Sequence, residues 1–134
     1  MLSLIVSLCL CKHAACETIN ETLRRTFNAV CQVESGGDPR AVGDGGRARG
    51  IAQIHPIVVY DCNRIMGKSL FSLSDRLDPA ESFAMFRIYV RYYAPSGGPE
   101  QWSRIWNGGP TGNRKPATAA YWRRVQSHLG PWGH

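Results

Sequence analysis

ETINETLRRTFNAVCQVESGGDPR, residues 17–40, sets the architecture. Ile19, Leu23, Phe27, Val30 and Cys31 recur at the spacing of one face of an α-helix, and Gly36-Gly37 closes the pattern. The stretch predicts an amphipathic helix from Glu17 that terminates at Glu34, leaving a carboxylate at its C-terminal end. Residues 38–54 then carry Asp38-Pro39 and glycines at 43, 45, 46 and 50, the composition of turns around short extended pieces. Backbone of this kind is expected to lie along a cleft.

The remaining segments read as helices with marked ends. Pro56 opens one that runs to about Ile65 and stops at Gly67. Asp78-Pro79-Ala80-Glu81 is a helix start, with an acid at the N-cap, proline at the first helical position and glutamate three residues after the cap. Phe83, Phe86, Val90 and Tyr93 are the buried stripe expected of that helix. After the loop from Pro95 to Pro99, a short helix carries Trp102 and Trp106, Asn107-Gly108-Gly109-Pro110 breaks it, and a last helix spans about Lys115 to Leu129. About five helices and a small irregular β region define a mainly helical α+β domain.

With 134 residues, 43% hydrophobic and 19% charged, the chain fits one folded domain. Sixteen Lys+Arg against ten Asp+Glu leave a formal charge of +6, which favours polyanionic partners. Nucleic acid is not expected: the basic residues are dispersed in pairs such as Arg24-Arg25 and Arg123-Arg124, without a zinc-finger spacing or a basic run. Residues 1–16, MLSLIVSLCLCKHAAC, hold an apolar stretch and a small-residue group ending Ala14-Ala15-Cys16, the pattern of a short signal peptide. That stretch is too short for stable membrane insertion, so residues 17–134 are expected to be a secreted or periplasmic monomer. A lipid-anchored form and an incorrectly assigned start are the alternatives.

Removal of that segment leaves Cys31 and Cys62. In an exported protein two cysteines fit one bridge, and they fit two buried thiols equally well. No metal is expected, because neither CxxC nor HExxH occurs and the four histidines are scattered.

Glu34 is the residue placed for chemistry. A carboxylate at a helix C-terminus faces unpaired carbonyls and the negative end of the helix dipole, which disfavours its ionised form. A carboxyl that keeps its proton near neutral pH can deliver it to a leaving oxygen, as cleavage of a glycosidic bond requires. Arg47 and Arg49, if close, would act in the opposite direction.

Glu34-Ser35-Gly36-Gly37-Asp38-Pro39, followed by Gly50-Ile51-Ala52-Gln53-Ile54, resembles the paired ESGxxP and GxxQ motifs of the soluble lytic transglycosylase (SLT) family, in the lysozyme-like superfamily. Trp106-Asn107-Gly108-Gly109 resembles its AYNxG segment, and Ala117 to Val125, with Tyr121, its ETxxYVxxV segment. The likeness spans about residues 24–128. It implies a lysozyme-like fold, a peptidoglycan substrate and no cofactor. Glu34 would be the sole acid/base, with Tyr121 beside it and Ser35, Gln53, Asn107 and Trp106 in the substrate groove. Trp106 in place of tyrosine, Ile51-Ala52 in place of Leu-Met, and the long polar approach from Gly43 to Arg49 depart from the family pattern.

The resemblance implies scission between N-acetylmuramic acid and N-acetylglucosamine with closure of a 1,6-anhydro ring. Hydrolysis of the lysozyme or chitinase type is the alternative, and its inverting form needs a second carboxylate. Asp44, in a glycine-rich loop facing the cleft, is the better candidate for it; Asp38, before Pro39, reads as a turn residue. A non-catalytic wall-binding protein of the same fold and a cationic membrane-active protein are the readings from other classes. Trp102, Trp122 and Tyr60 are more simply core residues than sugar platforms, and His55 more simply a surface or cap residue than a catalyst.

Overall fold

The computed structural model describes the backbone of residues 2–130 and the side chains of residues 18–130. Five α-helices and one two-stranded hairpin occur among them: α1 (Leu2–Ser35), β1 (Val42–Gly43), β2 (Ala48–Arg49), α2 (Pro56–Met66), α3 (Pro79–Tyr93), α4 (Pro99–Gly108) and α5 (Ala117–Ser127). This is the mainly helical α+β architecture, with about five helices and a small β region, expected from the sequence. The export signal expected over residues 1–16 falls where Met1 and all the side chains lie outside the described residues. No helix of the described residues is long and apolar enough to cross a membrane.

The helix ends follow local chemistry. The N–H of Gly36 bonds to the Gln32 carbonyl, and that of Gly37 reaches back to Cys31. Both glycines are left-handed, a conformation that costs other residues more, so α1 stops immediately after Glu34-Ser35. Gly67 closes α2 in the same conformation. At the start of α3 the Asp78 carboxylate accepts the N–H groups of Ala80 and Glu81, at 2.8 and 3.3 Å.

The core is built around α1. Leu23, Phe27 and Val30 meet Met85, Phe86 and Val90 of α3, Ile105 of α4 and Val125 of α5. Side chains of this size contribute about 1.5–3 kcal/mol each when fully buried. The α3 stripe differs from the one expected. Phe86 and Val90 are buried, but Met85 and Tyr89 complete the inner face, while Phe83 and Tyr93 sit at its margins. Phe83 is covered from outside by the Arg24 guanidinium, 3.7 Å from its ring centroid.

Cys31 and Cys62 are both buried free thiols, so of the two readings left open by their number the unbridged one holds. Burial pushes each thiol up to about 12, which keeps them neutral and unreactive.

Candidate active site

Glu34 ends α1 at one wall of a cavity of about 230 Å³, lined also by Asp44, Ala48, Gln53, Ile54, His55, Val58, Trp106 and Asn107. The cavity draws on the end of α1, the hairpin region, the start of α2 and the end of α4. Five of the seven residues expected at the site line it directly: Glu34, Asp44, Gln53, Trp106 and Asn107. Tyr121 and Ser35 stand behind this wall.

Tyr121, buried on α5, donates its hydroxyl to Glu34 Oε1 at 2.8 Å across 87 positions of sequence. Burial raises the Glu34 carboxyl above the ordinary carboxylate range; the Tyr121 hydrogen bond and the positive charge of Arg124 oppose that shift without cancelling it. The charge felt by Glu34 therefore comes from Arg124, not from Arg47 or Arg49. Arg47 binds Asp44, and Arg49 donates to the Gly46 carbonyl at 3.0 Å. The helix-end argument reached the right direction, but the largest cause is desolvation.

Ser35 has a different task from the substrate contact expected of it. Its hydroxyl lies 2.7 Å from the Ile51 carbonyl and 3.2 Å from that of Cys31, and it accepts the Asp38 N–H at 3.1 Å. With both donor and acceptor capacity used by backbone, Ser35 ties the end of α1 to the opposite wall and does not line the cavity.

That opposite wall is folded under strain. Asp44 (φ 48°) and Gln53 (φ 50°) are the non-glycine residues with positive φ among those described, and both line the cavity. Gln53 is held by donation from Nε2 to the Gly50 carbonyl at 3.1 Å. Gly50 has to be glycine twice over: its φ is +82°, and a Cβ there would stand 1.8 Å from the Arg76 carbonyl oxygen. Arg76 fastens the same wall from outside, donating to the carbonyls of Arg47 and Ile54 at 2.9 and 3.2 Å. The Asp44 carboxylate is exposed and engaged by Arg47 at 3.0 Å and by His55 Nε2 at 3.5 Å.

Trp106 donates its indole N–H to the Ala52 carbonyl at 3.2 Å and packs edge-on against Phe86 and Tyr89, so one end belongs to the core and the other to the cavity. Trp102 is buried with its N–H on the Ala94 carbonyl. Trp122 lines a separate cavity of about 500 Å³ together with Arg25, Gln101 and Gln126, and Tyr60 is exposed. His55 is the cap residue before α2, as expected, and it also lines the cavity; sequence reasoning missed Arg124, three residues after Tyr121 on α5. The i, i+3 spacing from Tyr121 was the available signal for Arg124.

Residues 13–123 match the family model described as the transglycosylase SLT domain. No curated protein matches the chain. Among solved structures it is similar to a Meretrix lusoria lysozyme in complex with Aeromonas hydrophila PliI and to an inhibitor-bound lysozyme from Meretrix lusoria. In each case the identity is 29%, the match covers 81% of this chain and 92% of that chain, and the TM-score is 0.68.

Proposed function

The chain belongs to the transglycosylase SLT domain family, which acts on peptidoglycan, and from that premise we propose that it cleaves the glycan strand between N-acetylmuramic acid and N-acetylglucosamine with Glu34 as its single acid/base. The observation that carries the proposal is the pairing of a proton-retaining Glu34 with the buried Tyr121 hydroxyl at the wall of a cavity. In the first step Glu34 gives its proton to the glycosidic oxygen as the bond to the muramic anomeric carbon breaks. The muramic C6 hydroxyl then attacks that carbon and returns its proton to Glu34, closing a 1,6-anhydro ring and consuming no water. The tethered hydroxyl supplies by proximity what a second catalytic group would otherwise supply. Gln53, Asn107 and Trp106 hold the sugar, and Ser35 acts from behind by fixing the cleft wall. Export through residues 1–16 would bring a monomeric enzyme to this substrate outside the cytoplasm.

A second reading is hydrolysis. It is favoured by the position of Asp44 on the same cavity as Glu34 and by the likeness to the Meretrix lusoria lysozyme. Mass analysis of muropeptides released from purified peptidoglycan separates the two. The expected products end in 1,6-anhydro-N-acetylmuramic acid and are lighter by one water than hydrolytic ones. Reducing ends together with an inactive Asp44→Asn variant would transfer the assignment to a lysozyme.

A further inference from the structure

Glu34 has a front and a back. At the front, the cavity presents Asp44 and His55 as titratable neighbours, with Arg47 bound to Asp44. At the back, α5 presents Tyr121 and, three residues later on the same face, Arg124. On its own helix the nearest titratable group is the neutral Cys31 thiol. Tyr121 is buried and Arg124 exposed, with the guanidinium carbon 5.7 Å from the Tyr121 ring centroid. Neither lines the cavity, so Arg124 has no route to substrate through it.

A single group that must first give a proton and then take one back works best when its proton affinity lies near the working pH. Burial raises the proton affinity of Glu34, which helps the first half of the reaction and hinders the second. Arg124 acts in the opposite direction. Asp44, carrying negative charge on the front side, cannot supply that correction.

We propose that Arg124 is a positioning residue for the reaction, which holds the Tyr121 ring beneath its guanidinium and supplies the positive field behind Glu34 that lets the carboxyl give up its proton again. This deepens the assignment of Glu34 as acid/base and rests on it.

The test is a charge series, R124K, R124Q and R124E, read in two ways: the pH profile of peptidoglycan turnover, and titration of the Glu34 carboxyl by 13C NMR, assigned with E34Q. Glu34 in R124K should titrate close to wild type. In R124Q it should titrate higher and in R124E higher still, and the alkaline limb of the turnover profile should move with it. Relative to its own maximum, R124Q is then more active than wild type on the alkaline side, a change that loss of structure does not produce. The wild-type to R124Q difference should shrink as salt is added, because the guanidinium is exposed. A Glu34 titration that ignores the charge at position 124, or an R124K that departs as far as R124Q, would overturn the proposal. Should R124Q not fold, the order of R124K and R124E decides it. The titration needs no activity, so full activity in E34Q would defeat the assignment of Glu34 while leaving the field effect separately measured.

Discussion

The cavity has two carboxylates on opposite walls, and their settings differ in every respect that governs a proton. Glu34 ends a long helix, is half-buried and has a neutral hydroxyl as its hydrogen-bond donor. Asp44 sits in a glycine-rich turn, is exposed, and meets a guanidinium and an imidazole. The first environment favours the protonated acid, whereas the second holds its carboxylate in ion pairs at the surface.

The sharpest way to break this contrast is Glu34→Gln, which keeps shape and hydrogen bonding while removing the transferable proton. Turnover should fall by at least about a hundredfold, the lower range for general acid catalysis. Turbidity clearing retained by a folded variant would show that the acid lies elsewhere. Tyr121→Phe comes next, because it removes one hydrogen bond to a group that must ionise. Such bonds contribute about 1.5–3 kcal/mol, so a loss of roughly tenfold or more in turnover is expected. The alkaline limb should also move upward, since the lost hydrogen bond favoured the carboxylate. An unchanged rate and an unmoved limb would return Tyr121 to a packing role.

The half-buried setting of Glu34 also has a cost in stability, with a definite sign. The folded protein holds the Glu34 proton more tightly than the unfolded chain does. The associated stability is present below the ordinary carboxylate range and is lost as pH rises through the raised folded value. Glu34→Gln should therefore melt higher than wild type at neutral pH, with the gap closing in acid. Thermal melts across pH would contradict this if the gap widened in acid. The smallest effect belongs to the other wall: Asp44→Asn should change turnover by less than about twofold, if its charge does not act in bond breaking.

Much of this contrast was legible in the chain. The apolar period ending at Gly36-Gly37 located both α1 and the carboxylate at its end, because the helix-stop residues are local. The glycines of residues 43–50 announced the turn-rich wall for the same reason. The partner of Glu34 was reached only through the resemblance around Tyr121, since no local rule connects positions 87 apart. Where sequence reasoning strayed, tertiary packing was the cause. Arg47 and Arg49 are close to Glu34 in the chain but turn to Asp44 and Gly46, while Arg124 arrives from the far end. Tyr89 joined the core in place of Tyr93 because Trp106 of α4 packs on its ring. Ser35 adjoins the acid in sequence, yet its bonds run to Ile51 and Cys31.

The Ser35 bond to Ile51 has a consequence for how this groove can change. It joins two points that bracket residues 36–50, and Arg76 clamps the chain again at Arg47 and Ile54. The tip of the turn, Asp44 to Gly46, lies inside the first bracket and immediately before the second. Residues added at that tip would lengthen one lip of the groove without levering on the helix that carries Glu34, and loop entropy rises only slowly with length. The tip is thus a place where the reach of this groove can be altered by insertion, in the laboratory or in descent, with the pairing of Glu34 and Tyr121 left undisturbed.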